Sequence, residues 1–111
     1  MKPWKVILTD TARADLDRIL ETTLEEFGTI QLKRYTEQIE SAIRKLEESG
    51  NRTPLLKQRS DIRPGIYTYP LSRKGRDSPH QFYIRIKTGE QNPAVIILRI
   101  LHVRMDPEMH M

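Results

Sequence analysis

The run AVIILRILHVRM, residues 94–105, decides the fold. Apolar side chains fill both parities of its first half, which is the pattern of a strand covered on both faces and therefore interior to a sheet. Leu98, Ile100, His102 and Arg104 share one parity; Ile97, Arg99, Leu101, Val103 and Met105 share the other. The two groups project oppositely unless a bulge intervenes. The segment continues through DPEMHM, so an interior strand carries His102, Arg104 and Asp106 on its extension.

Working back from this strand, GEQNP (89–93) has the composition of a hairpin turn, and HQFYIRIKT (80–88) alternates cleanly. Phe82, Ile84 and Ile86 fall on one face, with Tyr83, Arg85 and Lys87 on the other. SRKGRDSP (72–79) is a turn-rich connection carrying Arg73, Lys74 and Arg76, and IRPGIYTYPL (62–71), broken by Pro64, Gly65 and Pro70, predicts an edge or bulged strand. NRTPLLKQRSD (51–61) is a polar loop.

The first half of the chain has a different period. KVILT (5–9) predicts a short strand, followed by helix N-caps at Thr9, Asp10 and Thr11. Ala12, Leu16, Ile19, Leu20, Thr23 and Phe27 recur at helical steps, Gly28 interrupts, and Ile30, Leu32, Tyr35, Ile39, Ala42, Ile43 and Leu46 form a second stripe, with Gly50 placed for a C′ position. Both stripes are too short for sustained heptads, so packing on the chain's own sheet outweighs a coiled coil. The resulting expectation is an α+β fold in two layers: an N-terminal strand, an antiparallel helical hairpin and a three-stranded antiparallel meander, with residues 1–111 forming a single domain.

Composition narrows the chemistry. With no cysteine, disulfides, thiolate catalysis and Cys-based zinc sites are excluded. Three scattered histidines without a nearby carboxylate pattern argue against a metal site, and His80 and His110 read as surface residues. No phosphate-cradling glycine loop or nucleophile elbow is present, so no cofactor is expected. No segment reaches the length of a membrane span or a signal sequence, which predicts a cytoplasmic protein without a membrane partner. Residues 1–54 hold nine basic and ten acidic side chains; residues 55–111 hold ten and five. The +4 net charge thus resides in the second half, which points one part of the fold at an anionic partner. Trp4, beside Pro3, reads as a packing residue at the sheet edge.

Four segments in order resemble the RelE/ParE superfamily of toxins from type II toxin–antitoxin pairs, and more closely its ParE branch. They are VILTDTARADLDRI (6–19), DIRPGIYTY (61–69), HQFYIRI (80–86) and VIILRILHVRMDPEMHM (95–111). The resemblance implies a small cytosolic toxin neutralised by a cognate antitoxin, ParD-like or similar, whose C-terminal segment wraps the helical hairpin and sheet. Members of the ParE branch poison DNA gyrase, whereas RelE-type members cut messenger RNA on the ribosome. Target-binding candidates are Arg63, Tyr83, Arg85, Lys87, Arg99, His102, Arg104 and Asp106. On the ribonuclease alternative, His102 serves as acid or base with Arg85 and Arg104 on phosphate. On the structural alternative, Arg104 and Asp106 form an ion pair that anchors the tail. The chain departs from both branches in its middle strand: Tyr67 stands where ParE-like chains often have arginine and Pro70 where they have histidine, and RelE-like chains carry a Lys/Arg cluster there. A diverged member that binds antitoxin only is a third alternative.

Overall fold

The computed structural model describes residues 4–71, 80–89 and 91–110. Five strands form one sheet in the order β1-β5-β4-β3-β2: β1 (Lys5–Leu8), β2 (Lys57–Gln58), β3 (Ile66–Pro70), β4 (His80–Lys87) and β5 (Ala94–His102). β5 lies between β1, which runs parallel to it, and β4, which runs antiparallel. The expected interior strand is therefore interior, with Val95 and Ile97 fully buried. The connection at 72–79 lies outside the described residues, as do residues 1–3, Glu90 and Met111.

One helical element, α1 (Asp10–Ser49), covers the sheet, and it is bent into two arms at Gly28. There φ is 85° and ψ −176°, a backbone that side chains with a Cβ rarely adopt. Forty residues of straight helix would measure about 60 Å, yet the longest dimension of the molecule is 43 Å. The arms accordingly double back: Ala12 near one end and Leu46 near the other enter the same core, and the Trp4 N–H donates to the Glu47 carbonyl at 3.2 Å. Buried positions 12, 15 and 23, then 35, 39, 42 and 46, keep the helical period on each arm. Phe27 and Ile30, expected in the stripes, are instead exposed at 68% and 71%, because they flank the reversal.

Phe82 and Ile84 of β4 face the helices, with Ile86 packed beside them, as the alternation requires. Tyr83 points the other way and is nonetheless buried, in a second cluster with Ile66, Leu101, Ile62 and Leu98. The segment 59–65 folds over this cluster, tied by the Arg59 N–H to the Ile66 carbonyl at 2.7 Å and by a two-point Arg59–Asp61 pair at 2.9 Å. Sequence reasoning placed β3 at an edge. The two residues of β2 pair with Lys57 opposite Thr68 and cover that edge, from within the stretch read as loop. Pro70 ends β3, where its missing N–H costs least.

The sheet holds one irregularity of consequence. Tyr83 pairs with Arg99 but Ile84 pairs with Ile97, so Leu98 is an extra residue and β5 bulges. Ile97 and Ile100 therefore both face the helices, and the simple alternation is broken between them. β1 also stops at Leu8, leaving the polar edge of β5 uncovered beyond Ile97. The helix start supplies the missing partners. Thr9 N–H donates to the Ile97 carbonyl at 3.1 Å, and Thr9 Oγ1 donates to the Leu98 carbonyl at 2.9 Å while accepting the Ala12 N–H as N-cap. One turn on, Asp15 Oδ2 accepts the Ile100 N–H at 3.0 Å.

Asp15 is 1% exposed and also accepts Arg99 Nε at 2.8 Å and Arg99 Nη2 at 2.9 Å, with Arg18 3.7 Å away. Burial alone would raise its carboxyl; the hydrogen bonds from Arg99 and Ile100, with the charges of Arg99 and Arg18, outweigh it and lower the pKa below 3.8.

Two measurements test this frame. A Cβ on Gly50 would lie 2.0 Å from the Trp4 indole, and its φ is +52°, so Gly50→Ala should lower unfolding stability by ~1 kcal/mol or more in denaturant titration. Asp15→Asn should cost about 2 kcal/mol near neutral pH. Because the folded pKa is depressed, the stability from Asp15 is complete above its unfolded value and is lost as pH falls through the folded one. Wild type should thus lose stability in acid more steeply than the Asn variant.

Candidate functional site

A cleft of about 720 Å³ opens between the two helical arms near Gly28 and the ends of β4 and β5. Tyr35, His80 and His102 form one side, Ile19 and Phe27 another, and Met105 and His110 of the tail close a third. The histidines meet by strand pairing: His80 opens β4, His102 ends β5, and they face each other across the ladder. Their rings stand edge to face with centroids 5.5 Å apart, and Tyr35 meets His80 edge-on at 5.7 Å. Burial, reinforced by the charge on His102, pushes His80 down to about 4, so it is neutral at physiological pH. His80 is therefore half-buried, against the surface role read from its sequence surroundings. The pairing partner that buries it is 22 residues away, beyond any local pattern.

β5 ends at His102, three residues earlier than the sequence suggested, and the chain turns back. His102 Nδ1 accepts the Arg104 N–H at 3.1 Å. Asp106 caps a short 3-10 turn, Pro107–Met109, by accepting the Glu108 N–H at 3.0 Å. Asp106 is engaged in that cap, and the Arg104–Asp106 ion pair of the structural alternative does not form. Arg99 Nη1 donates to the His110 carbonyl, so one guanidinium joins Asp15 of the first arm to the tail. Its raised pKa, caused first by the hydrogen bond to Asp15, keeps the charge fixed.

The other candidates occupy the opposite face of the sheet. Arg85 and Lys87 are exposed there, next to buried Tyr83, whose hydroxyl accepts Gln81 Nε2 at 3.0 Å. Arg63 is exposed in the segment that folds over Tyr83. The arrangement thus divides the predicted set. His102, Arg99, Arg104 and Asp106 belong to the tail and cleft; Arg63, Tyr83, Arg85 and Lys87 belong to the far face. Arg85 and His102, both required by the ribonuclease alternative, lie on opposite faces. They are separated along β4 by five residues, or roughly 17 Å. Tyr67 packs against the helix-side core, and Pro70 pairs with Gln81. Among the described residues no group of three His, Asp or Glu side chains is placed to hold a metal.

Sequence reasoning missed Asp15 and His80. Asp15 sat among solvent-facing charges of an amphipathic helix, and only its i, i+3 relation to buried Ala12 hinted at the covered side.

Residues 6–107 match the family described as ParE toxin of type II toxin-antitoxin system, parDE. The chain is 34% identical over 100 residues to Toxin ParE of Escherichia coli, covering 90% of this chain and 85% of that one. It is 33% identical over 102 residues to Toxin ParE3 of Caulobacter vibrioides, covering 92% and 89%. A chain from the chromosomal ParDE TA system of P. aeruginosa shares the fold at a TM-score of 0.70 and 24% identity, covering 94% of this chain and 100% of that one. The chain belongs to the ParE toxin family of type II toxin–antitoxin systems.

Proposed function

We propose that this toxin acts in the cytoplasm by inhibiting DNA gyrase, without hydrolytic chemistry of its own, and is neutralised by a cognate antitoxin. The family match over residues 6–107 carries the reading. The geometry favours it over messenger RNA cleavage. Metal-free cleavage needs an acid or base and phosphate-binding cations around one scissile bond, whereas Arg85 and His102 are separated by the sheet. The Nδ1 atom of His102 is also engaged by the Arg104 N–H.

The cleft supplies the antitoxin surface. It combines apolar Ile19, Phe27 and Met105 with the cations Arg18 and Arg99, and Glu26 is the one carboxylate among its described lining residues. An acidic, amphipathic segment that orders on binding suits such a lining. The tail beyond β5, with Arg104 and Asp106, is the contact to the target.

Expression without antitoxin should produce filamentation and DNA damage with intact messages, and the purified chain should inhibit supercoiling by gyrase. Translation arrest with cleaved messages would refute the assignment, and absence of any toxicity would mark a diverged, antitoxin-binding member. His102→Ala should leave gyrase inhibition largely intact, whereas a general acid or base would lose about 100-fold or more. Phe27→Asp, at a residue 68% exposed, should weaken antitoxin binding by about tenfold or more, read by calorimetry, without unfolding the toxin.

A further inference from the structure

The charge of the molecule is divided between its two layers. The helical layer, Asp10–Ser49, holds ten acidic and six basic side chains, for −4; everything else holds five and thirteen, for +8. Strand pairing concentrates part of that surplus. Lys87 of β4 and Lys5 of β1 flank Ala94 of β5 on both sides in one cross-strand row. The next row on the same face is Arg85, Ile96 and Ile7. The face is fixed by parity: Val6, Leu8, Ile84 and Ile86 point to the helices, so Lys5, Ile7, Arg85 and Lys87 point away, and all four are exposed. Lys5 and Lys87 lie two strand spacings apart, roughly 10 Å, and Arg85 is about 7 Å along β4 from Lys87. At physiological salt, charges this close are only partly screened from one another. Among the described residues of the strands and the 59–65 segment, the one carboxylate is Asp61, held by Arg59.

We infer that this exposed sheet face binds the phosphate backbone of duplex DNA, without regard to sequence, through Lys5, Arg85 and Lys87. Three long, exposed cations on one open sheet face suit repeated contacts to phosphates, and two of them are lysines, which act as point charges rather than as forks that read a base edge. A single-stranded partner would want aromatic platforms for its bases, and an acidic protein would want an aromatic anchor at the centre of its footprint. The aromatic residue on this face, Tyr83, is 1% exposed beneath Ile62 and serves neither. The cellular meaning rests on the gyrase reading, in which the target itself holds duplex DNA; the binding does not.

The test is anisotropy of the purified full chain with labelled duplexes of two unrelated sequences and with one of the corresponding single strands. Both duplexes should bind alike and better than the single strand. Three phosphate contacts predict a log–log salt slope of about −2.7, or roughly 40-fold weaker binding at about 200 than at about 50 mM salt. The triple variant Lys5→Gln, Arg85→Gln, Lys87→Gln should lose most of the affinity and most of the slope. The triple Arg13→Gln, Arg34→Gln, Arg44→Gln, which removes the same charge from exposed positions of the helical layer, should retain both. Equal loss in the two triples, preference for the single strand, displacement by polyglutamate as effective as by duplex, or no binding at low salt would each overturn the inference. Supercoiling inhibition measured on the same proteins reads the gyrase proposal separately, since it can persist when binding to free duplex is abolished.

Discussion

Strand β5 is nine residues long and its parallel neighbour β1 only four, so half of one edge of the central strand would face the interior with its peptide groups unpaired. An orphaned buried donor costs about 1–3 kcal/mol, and covering the edge with a longer β1 is impossible because the helix must begin at Asp10. Side chains from the helix start resolve the conflict. Thr9 takes the Leu98 carbonyl and Asp15 takes the Ile100 N–H. A carboxylate in that position is tolerable only with a cation on it, and Arg99 meets it with two parallel hydrogen bonds. The bulge falls at Leu98 itself, whose carbonyl takes the first contact, and it resets the ladder so that Ile100 can face the core.

The same tie organises what lies beyond. Arg99 is committed to Asp15 on one side and to the tail carbonyl of His110 on the other, so the first helical arm, the central strand and the chain's last turn form one connected unit. The tail is thereby held at the mouth of the cleft, with Met105 and His110 in its lining. Arg99 was nominated by sequence as a residue for binding a target; its geometry makes it a residue that positions others.

Much of this was legible. The period of two in residues 80–88 put Phe82, Ile84 and Ile86 on the helix side of β4 and Tyr83, Arg85 and Lys87 on the other, and Gly28 and Gly50 marked the reversal and the end of the helical layer. The interior place of β5 followed from apolar residues on both parities. What escaped depended on partners distant in sequence. A bulge is a property of two strands in register, so Leu98 looks like any other alternating residue. Lys57 and Gln58 are a strand because β3 offers an edge, not because of local propensity. Asp15 is indistinguishable from Asp17 until β5 is placed beside it, and His80 is ordinary until His102 is set opposite.

These distances also bear on how neutralisation and toxicity can be linked in one small molecule. The cleft and the basic face lie on opposite sides of the sheet, and the two carry different chemistry: mixed apolar and cationic lining on one, isolated long cations on the other. A segment bound in the cleft touches Met105 and His110 directly but cannot reach Arg85 or Lys87 without passing around the sheet. On the reading proposed above, an antitoxin in the cleft therefore acts through the tail. It need not neutralise the basic face, whose charge would remain displayed in the complex. The tail is suited to that role because its connection to the fold is a few hydrogen bonds at Arg99 and His102 rather than a buried apolar surface. Such contacts are individually worth about 1 kcal/mol, so a ligand binding in the cleft can displace the tail at small cost while the sheet behind it stays as it is.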